Sequence, residues 1–434
     1  MMKSYPIYKN SGIEWIGKIP KGWGVSRLKY IDKCVMGQSP ESEKCNKDGV
    51  GIPFLQGNAD FMTFNPVPSV WCEEANKLAE PDDVLLSVRA PVGAVNIADQ
   101  VYGIGRGLCA IRARQSHKRY LYFKALCLLE ELNSIATGST YTAVSVEQVN
   151  NVFLPHPSYD EQGAISDYLD HKTTQIDELI AKKERMIELL KEERTAIINQ
   201  AVTKGLGPKV EMKDSGVEWL GRVPKHWEVK RLKYLVQGKL EYGANEVGEL
   251  DDIKMPRYIR ITDFDDDGNL RRDTFKSLPE SKAKEYLLQE GDVLFARSGA
   301  TVGKTFQFKN YKGRACFAGY LIRARPNQKI LSDFLYYFTR SNAYENWKNS
   351  IFNQATIQNI GADKYSILTL PLPSAKEQKE IVNLIIAKCG SIDGIIFRAE
   401  QSVEFLKEYR TALISEAVTG KIDVSTALNT GVRG

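Results

Sequence analysis

Histidine is scarce in this chain: four occur in 434 residues, at 117, 156, 171 and 226, and none stands in an H-E-x-x-H or comparable metal-ligand spacing. A zinc-hydrolase site is therefore excluded. Seven cysteines (34, 45, 72, 109, 127, 316, 389) are scattered, odd in number and without a C-x-x-C pair, which argues against a disulfide framework or a structural zinc site. Seven reduced, mostly buried thiols are expected. No apolar run approaches the length of a membrane span, and the opening "MMKSYPIYKN" has no hydrophobic signal core, so no membrane association and a cytoplasmic location are expected. Catalytic signatures are also missing. "FNPVPS" (64–69) lacks the adjacent prolines and aromatic of an Asn-Pro-Pro-Tyr methylation motif, and Pro81-Asp82 has no Glu-x-Lys behind it to complete a nuclease metal site.

One segment looks catalytic at first sight. "ARSGATVGKT" (296–305) ends like a phosphate-binding loop, but Gly299 lies only four residues before Gly303. A P-loop needs five, so that enough amides surround the phosphates. The loop is one residue short. The chain itself is an ordinary folded one, 43% hydrophobic and 26% charged, long enough for two to three domains.

The organising feature is a duplication. "KNSGIEWIGKIPKGWGVSRLKYI" (9–31) returns as "KDSGVEWLGRVPKHWEVKRLKYL" (213–235), with 14 of 23 positions identical. "LKEERTAIINQAVT" (190–203) returns as "LKEYRTALISEAVT" (406–419), with ten of 14 identical. Between these markers "DDVLLSVRAPVG" (82–93) faces "GDVLFARSGATVG" (291–303), and "LPHPSYDEQ" (154–162) faces "LPLPSAKEQ" (370–378). The chain is two copies of one unit joined near residue 208.

Each copy has two parts. Residues 1–157 and 208–373 show short apolar runs broken by Gly, Pro, Asn and Asp, which predicts globular α+β segments. Residues 158–207 and 374–434 switch to helical periodicity. Ile176, Ile180, Lys183, Ile187, Leu190, Arg194, Ile197 and Ala201 fall at spacings of four and three. Ile392, Ile396, Ala399, Val403, Leu406, Arg410, Leu413 and Ala417 repeat the register. This is a heptad seam, and it predicts two long helices packed as an antiparallel coiled coil, each spanning about 65 Å. Two surface helices covering the globular cores are the alternative. Lys183, Arg194 and Arg410 interrupt the seam and are expected to snorkel to its edge.

The net charge of +5 is weak, but its distribution is informative. Residues 208–373 hold 27 Lys and Arg against 21 Asp and Glu, and residues 1–157 hold 17 against 15. Residues 158–207 hold 7 against 10, and residues 374–434 hold 8 of each. A polyanion would lie on the globular segments, and the helices suit protein partners.

Taken in order, these motifs resemble the specificity (S, HsdS) subunit of type I restriction-modification systems, over nearly the whole chain. The resemblance implies two target recognition domains (1–157 and 208–373) separated by an antiparallel pair of helical spacers (158–207 and 374–434), with pseudo-two-fold symmetry. It implies a non-catalytic subunit that reads a bipartite, asymmetric site in double-stranded DNA. Two modification (methyltransferase) subunits would dock on it, and restriction subunits would complete the assembly. It implies no cofactor in this chain, with S-adenosylmethionine, ATP and magnesium on the partners. A two-domain adaptor that grips proteins without reading DNA is the alternative.

On that reading the turn at 296–305 presents DNA-facing groups. Arg89 in the first copy and Arg297, Ser298, Thr301 and Lys304 in the second are candidates, because arginine can bind guanine bidentately and lysine or a hydroxyl can hold a phosphate. Arg106 in "GIGRG" and Arg314 in "KGRA" stand at matching places in the two copies. Gln56, Asn58, Thr140 and Tyr141 face Arg260, Thr262, Gln354 and Thr356 in two further loops, and carry the amide, hydroxyl and guanidinium groups of direct readout. Ordinary turn and capping chemistry explains the same residue types without a ligand. The paired tryptophans, Trp15 and Trp23 with Trp219 and Trp227, lie in the near-identical segment and suit core packing or partner docking better than base stacking.

Overall fold

Each copy turns from sheet to helix through two prolines and a serine. Ser158 and Ser374 cap the helices Tyr159–Lys204 and Ala375–Val418, their Oγ atoms accepting from the amides of Glu161 at 3.4 Å and Glu377 at 3.3 Å. One turn in, Gln162 and Gln378 are each 1% exposed and make the same bonds. Their Oε1 atoms accept from the amides of His117 and Leu331, both at 2.8 Å, and their Nε2 atoms donate to the carbonyls of Pro157 and Pro373, both at 3.0 Å. The repeated "EQ" thus pins each helix start to its globular segment.

The computed structural model describes residues 4–136, 143–207, 209–265, 268–299, 301–352 and 359–424. The chain forms two compact units, Met1–Lys183 with Gln401–Gly434, and Glu184–Glu400. Each unit therefore contains one globular segment and a stretch of both long helices. In the first, Ile165, Leu169 and Ile176 join the core that also holds Leu413, Ile414, Ala417 and Val418. In the second, Ile187 clusters with Ile392, Ile396 and Ala399.

The seam read from the sequence is where the helices are covered. Ile176, Ile187, Ile392, Ile396, Val403 and Leu413 are buried, and Ile180, Leu190, Ile197 and Leu406 are half-buried. Arg194 and Arg410 do more than snorkel. Arg410 meets Asp177 at 2.8 Å in the first unit, and Arg194 meets Asp393 at 2.9 Å in the second. Lys191 also reaches Glu400 at 3.6 Å, so residue numbers rise on one helix as they fall on the other, and the two stretches in this unit run antiparallel.

The globular parts share one sheet plan. In the first unit the order is Val95–Ile97, Val84–Ser87, Leu108–Ala113 and Asp32–Met36, all antiparallel. In the second it is Thr305–Gln307, Val293–Ala296, Leu321–Ala324 and Glu241–Tyr242. The central strands Val84–Ser87 and Val293–Ala296 are buried at every residue, as continuous apolar runs require. Beside each sheet lies a parallel pair, Ile52–Leu55 with Tyr102–Ile104, and Arg257–Ile259 with Ala315–Phe317.

The opening segments form hairpins, Tyr8–Asn10 with Lys18–Pro20 and Met212–Asp214 with Arg222–Pro224. Trp23 and Trp227 beyond them are 2% and 1% exposed, so they pack the cores. Trp23 and Pro20 sit against Gly420, where a Cβ would strike Pro20. One cysteine expectation is corrected. Cys45 and Cys72 face each other across neighbouring strands, 4.2 Å apart at Cα, and form a disulfide; a register, invisible in the residue count, brings them together. Among the described residues no helix is long and apolar enough to cross a membrane.

The first unit buries an ion pair that the second does without. Asp32 and Lys124 are 1% and 0% exposed, and Ser116 links them, receiving from Lys124 Nζ at 2.7 Å and donating to Asp32 Oδ2 at 2.6 Å. With His117 and Leu331 in the same place, as their glutamine bonds show, Ser116 and Lys124 correspond to Ile330 and Phe338. Asp32, which follows the shared "LKY" turn, corresponds to Val236. Burial pushes the Lys124 ammonium down to about 8, against the pull of Asp32.

Lys124→Met, which strands Asp32, should destabilise the first unit by about 3–5 kcal/mol, whereas the combined Asp32→Val, Ser116→Ile and Lys124→Phe change should be neutral or stabilising by about 1–4 kcal/mol. The lysine proton leaves the folded state at lower pH than the unfolded one, so wild-type stability should rise from about pH 8 toward the ordinary lysine value. Denaturant unfolding across pH checks both statements, and the rise should vanish in the triple variant.

Candidate nucleic-acid interface

At one end of each sheet, four backbone segments are hydrogen-bonded in a row. In the first unit Gly107 donates to the Gln56 carbonyl at 3.2 Å, Val88 to Gly107 at 2.9 Å, and Val144 to Val88 at 2.9 Å. In the second, Ala318 donates to Ile259, Arg297 to Tyr320 and Ile360 to Arg297, each at 2.9 Å. Three stretches that are distant in sequence thus meet beside the turn that follows the central strand.

These bonds fix which residues correspond. Arg89 bridges Ala143 as Ser298 bridges Asn359, so Arg89 matches Ser298, and Arg297 matches the buried Val88. The expected match of Arg106 with Arg314 is corrected. Arg106 follows the strand Tyr102–Ile104 and matches Gly319, whereas Arg314 precedes the equivalent strand Ala315–Phe317 and lies at its other end. A turn three residues longer in the second copy shifts the arginine out of place.

The glycine-rich turn is a hairpin. The Gly303 amide bonds to the Ala296 carbonyl at 3.0 Å, that of Val302 to Gly299 at 3.1 Å, and that of Lys304 to Thr301 at 2.9 Å. These amides are consumed within the turn, and a strand, Thr305–Gln307, follows where a P-loop would open a helix. Gly303 has φ +82° and its counterpart Gly93 has φ +90°, which explains the glycine kept in both copies.

Around the row in the first unit, Gln56, Arg89 and Arg106 are exposed. Ser39 draws two of them together: it bonds the Gln56 side chain at 2.9 Å and accepts from the Arg106 amide at 3.4 Å. Asn58 begins the short 3-10 turn Asn58–Asp60 and is half-buried. In the second unit, Arg297 and Ser298 are half-buried, and the Arg297 guanidinium lies 5.0 Å over the Tyr242 ring. Thr262 is exposed on the turn Ile261–Asp263. Thr301 is half-buried, and the exposed Lys304 borders a cavity of about 250 Å³ with Arg194, Arg340 and Glu345.

Two candidates have strong partners inside the protein. Arg260 is held by Asp263 at 2.8 Å and donates to the Thr274 carbonyl at 2.9 Å. Arg314 forms a two-pronged ion pair with Glu280. Thr140, Tyr141, Gln354 and Thr356 lie outside the described residues. Reading the sequence missed Ser39, Tyr242 and Tyr320. Tyr320 is 65% exposed where the first copy has Gly107, a match that only the hydrogen-bonded row reveals.

The profile of the family described as the type I restriction modification DNA specificity domain matches residues 20–189 and 224–386. The chain belongs to this family. Among curated members, the putative type I restriction enzyme MjaX specificity subunit of Methanocaldococcus jannaschii is 35% identical over 193 residues, 43% of this chain and 44% of that one. The MjaIX specificity subunit of the same organism is 24% identical over 433 residues, 94% of this chain and 95% of that one. The EcoKI specificity subunit of Escherichia coli is 22% identical over 438 residues, 94% and 90% of the two chains. Two solved structures share the fold. One comes from work on complex assembly and conformational transition of the type I R-M system, with TM-score 0.73 and 17% identity over 93% of this chain and 99% of that one. The HsdS subunit from Thermoanaerobacter tengcongensis gives 0.51, also at 17% identity, over 93% and 98%. The family's two domain matches fall one in each copy of the duplication.

Arg260 and Arg314 should separate on thermal unfolding. Arg260→Ala leaves the fully buried Asp263 short of its partner and should cost about 1–3 kcal/mol. Arg314→Ala removes an exposed pair and should leave the melting temperature unchanged.

Proposed function

We propose that each unit reads one half of a bipartite, asymmetric sequence in double-stranded DNA, using side chains at the row-forming end of its sheet. One observation carries this reading. The scaffold is the same in both units, yet matched positions at this end differ: Arg89 stands where the other copy has Ser298, Arg106 where it has Gly319, and the buried Gly107 where it has the exposed Tyr320. Direct readout needs such differences between unlike half-sites, because each base pair presents its own donor and acceptor pattern in the major groove. A partner bound identically to both units would need matched positions to agree.

The subunit itself supplies recognition and no catalytic group. Two modification subunits dock on it and methylate with S-adenosylmethionine, and restriction subunits bring ATP and magnesium. The assembly works in the cytoplasm. The turn at Arg89 and Arg297 presents base-reading groups, and Lys304 holds a backbone phosphate.

Methylation mapping and competition binding with the assembled complex test this. Arg297→Ala should relax one position of one half-site by about 1–3 kcal/mol and leave the other half-site unchanged. Lys304→Ala should lower affinity evenly across sequences and flatten the salt dependence. Relaxation of both half-sites by Arg297→Ala would contradict the assignment.

A further inference from the structure

The second unit contains a cleft of about 710 Å³, within the size range of small-ligand sites. Four cations line it: Arg257, Arg272, Lys309 and Lys312. Lys309 is paired with Asp333 at 2.6 Å, but none of the other three has a carboxylate partner among the described residues. Arg257 is 4% exposed and fixed in place: its Nη2 donates to the Arg271 carbonyl, its guanidinium lies over Phe275 and Tyr311, and its Nε has no hydrogen-bond partner. A buried guanidinium with no carboxylate beside it and an unpaired Nε is costly, so a cleft built around one suits an anion. Aromatic rings complete the lining. Phe308 and Tyr311 lie 5.6 Å apart, and Phe264 is stacked on Phe306 at 3.9 Å.

Two parts of this lining have no counterpart in the first unit. Tyr258 pairs with Cys316 as Phe54 pairs with Gly103, which puts Pro53 in the place of Arg257. Phe308 and Ala98 bond the matched carbonyls of Asp292 and Asp83, so the turn "KNYKGR" (309–314) replaces "DQV" (99–101). Lys309, Lys312 and Tyr311 arrive with the longer turn, and Arg257 comes from the strand beside it.

We propose that this cleft binds a nucleotide unit, with its phosphate on Arg257, Arg272 and Lys312 and its planar base against Tyr311, whose ring is backed by the buried Phe308. Guanidinium and ammonium groups recognise the phosphate, and aromatic faces accept any base. The nucleotide is part of a DNA strand beside the half-site read by this unit, or it is free in solution. Confinement to one unit favours DNA, since the half-site is what differs between the units, and this preference rests on the function proposed above. The segment 271–274 connects the two places: its carbonyls bind Arg257 in the cleft and Arg260 next to Thr262.

The whole chain in complex with its modification partners is the material for the test. Arg272→Ala and Lys312→Ala are exposed substitutions and avoid the folding risk of Arg257→Ala. On duplexes extending well past both half-sites, each variant should lose about 0.9 from the salt slope, so a fourfold rise in salt costs it roughly 3.5-fold less affinity than wild type. On duplexes cut at the edge of this unit's half-site, variants and wild type should bind alike. If the nucleotide is free, deoxyadenosine monophosphate should bind the wild-type chain in calorimetry and bind both variants more weakly, which also supports the cleft. Variants equal to wild type on every duplex, with no binding of the mononucleotide, overturn the proposal. If the wild-type complex then still protects a bipartite site, DNA reading by the two units stands; if it protects no sequence, that reading fails too.

Discussion

Asp177 with Arg410 and Asp393 with Arg194 are one contact made twice, with the roles of the two long helices exchanged. In the first unit the first helix gives the acid and the second the base; in the second unit the assignment reverses. The same exchange governs the apolar seam around each pair. A helix of 46 residues, such as Tyr159–Lys204, cannot rely on backbone propensity and depends on burying a continuous stripe. Here that stripe is covered by the other copy's helix. Each unit takes helix from both copies, so neither globular segment has a complete core without the other copy's helix.

This constraint separates what must agree between copies from what is free to differ. Gln162 and Gln378 tie the helix starts to the globular parts, and Trp23 and Trp227 fill matched core positions, so these residues recur. Positions beyond these contacts diverge even inside the core. Asp32, Ser116 and Lys124 in one unit stand where Val236, Ile330 and Phe338 stand in the other. A buried ion pair with its hydrogen bonds satisfied and an apolar cluster of similar size are interchangeable solutions to the same packing problem. At the ends of the sheets, where solvent replaces packing as the neighbour, divergence is greater still.

The duplication and the long helices were legible because each is written as a periodicity or a repeated string. That "ARSGATVGKT" falls one residue short of a phosphate-binding loop was legible from glycine spacing alone. Correspondence inside the loops was not. Arg314 does not match Arg106, because the turn before its strand is three residues longer than its counterpart, and the strand pairing and the hydrogen-bonded row show the true match with Gly319. Partners folded back from elsewhere were equally hidden: Glu280 lies 34 residues from Arg314, and Cys72 lies 27 residues from Cys45. Candidate arginines read from sequence therefore include some whose charge is already answered within the protein.

The central claim is that two copies of one scaffold read two different half-sites. Mapping methylated adenines across a genome that expresses this chain with its modification partner tests it most directly. The expected result is a single motif made of two unlike half-sites separated by a fixed number of unspecified base pairs. A continuous motif, a palindrome of one half-site, or methylation without sequence preference would contradict it.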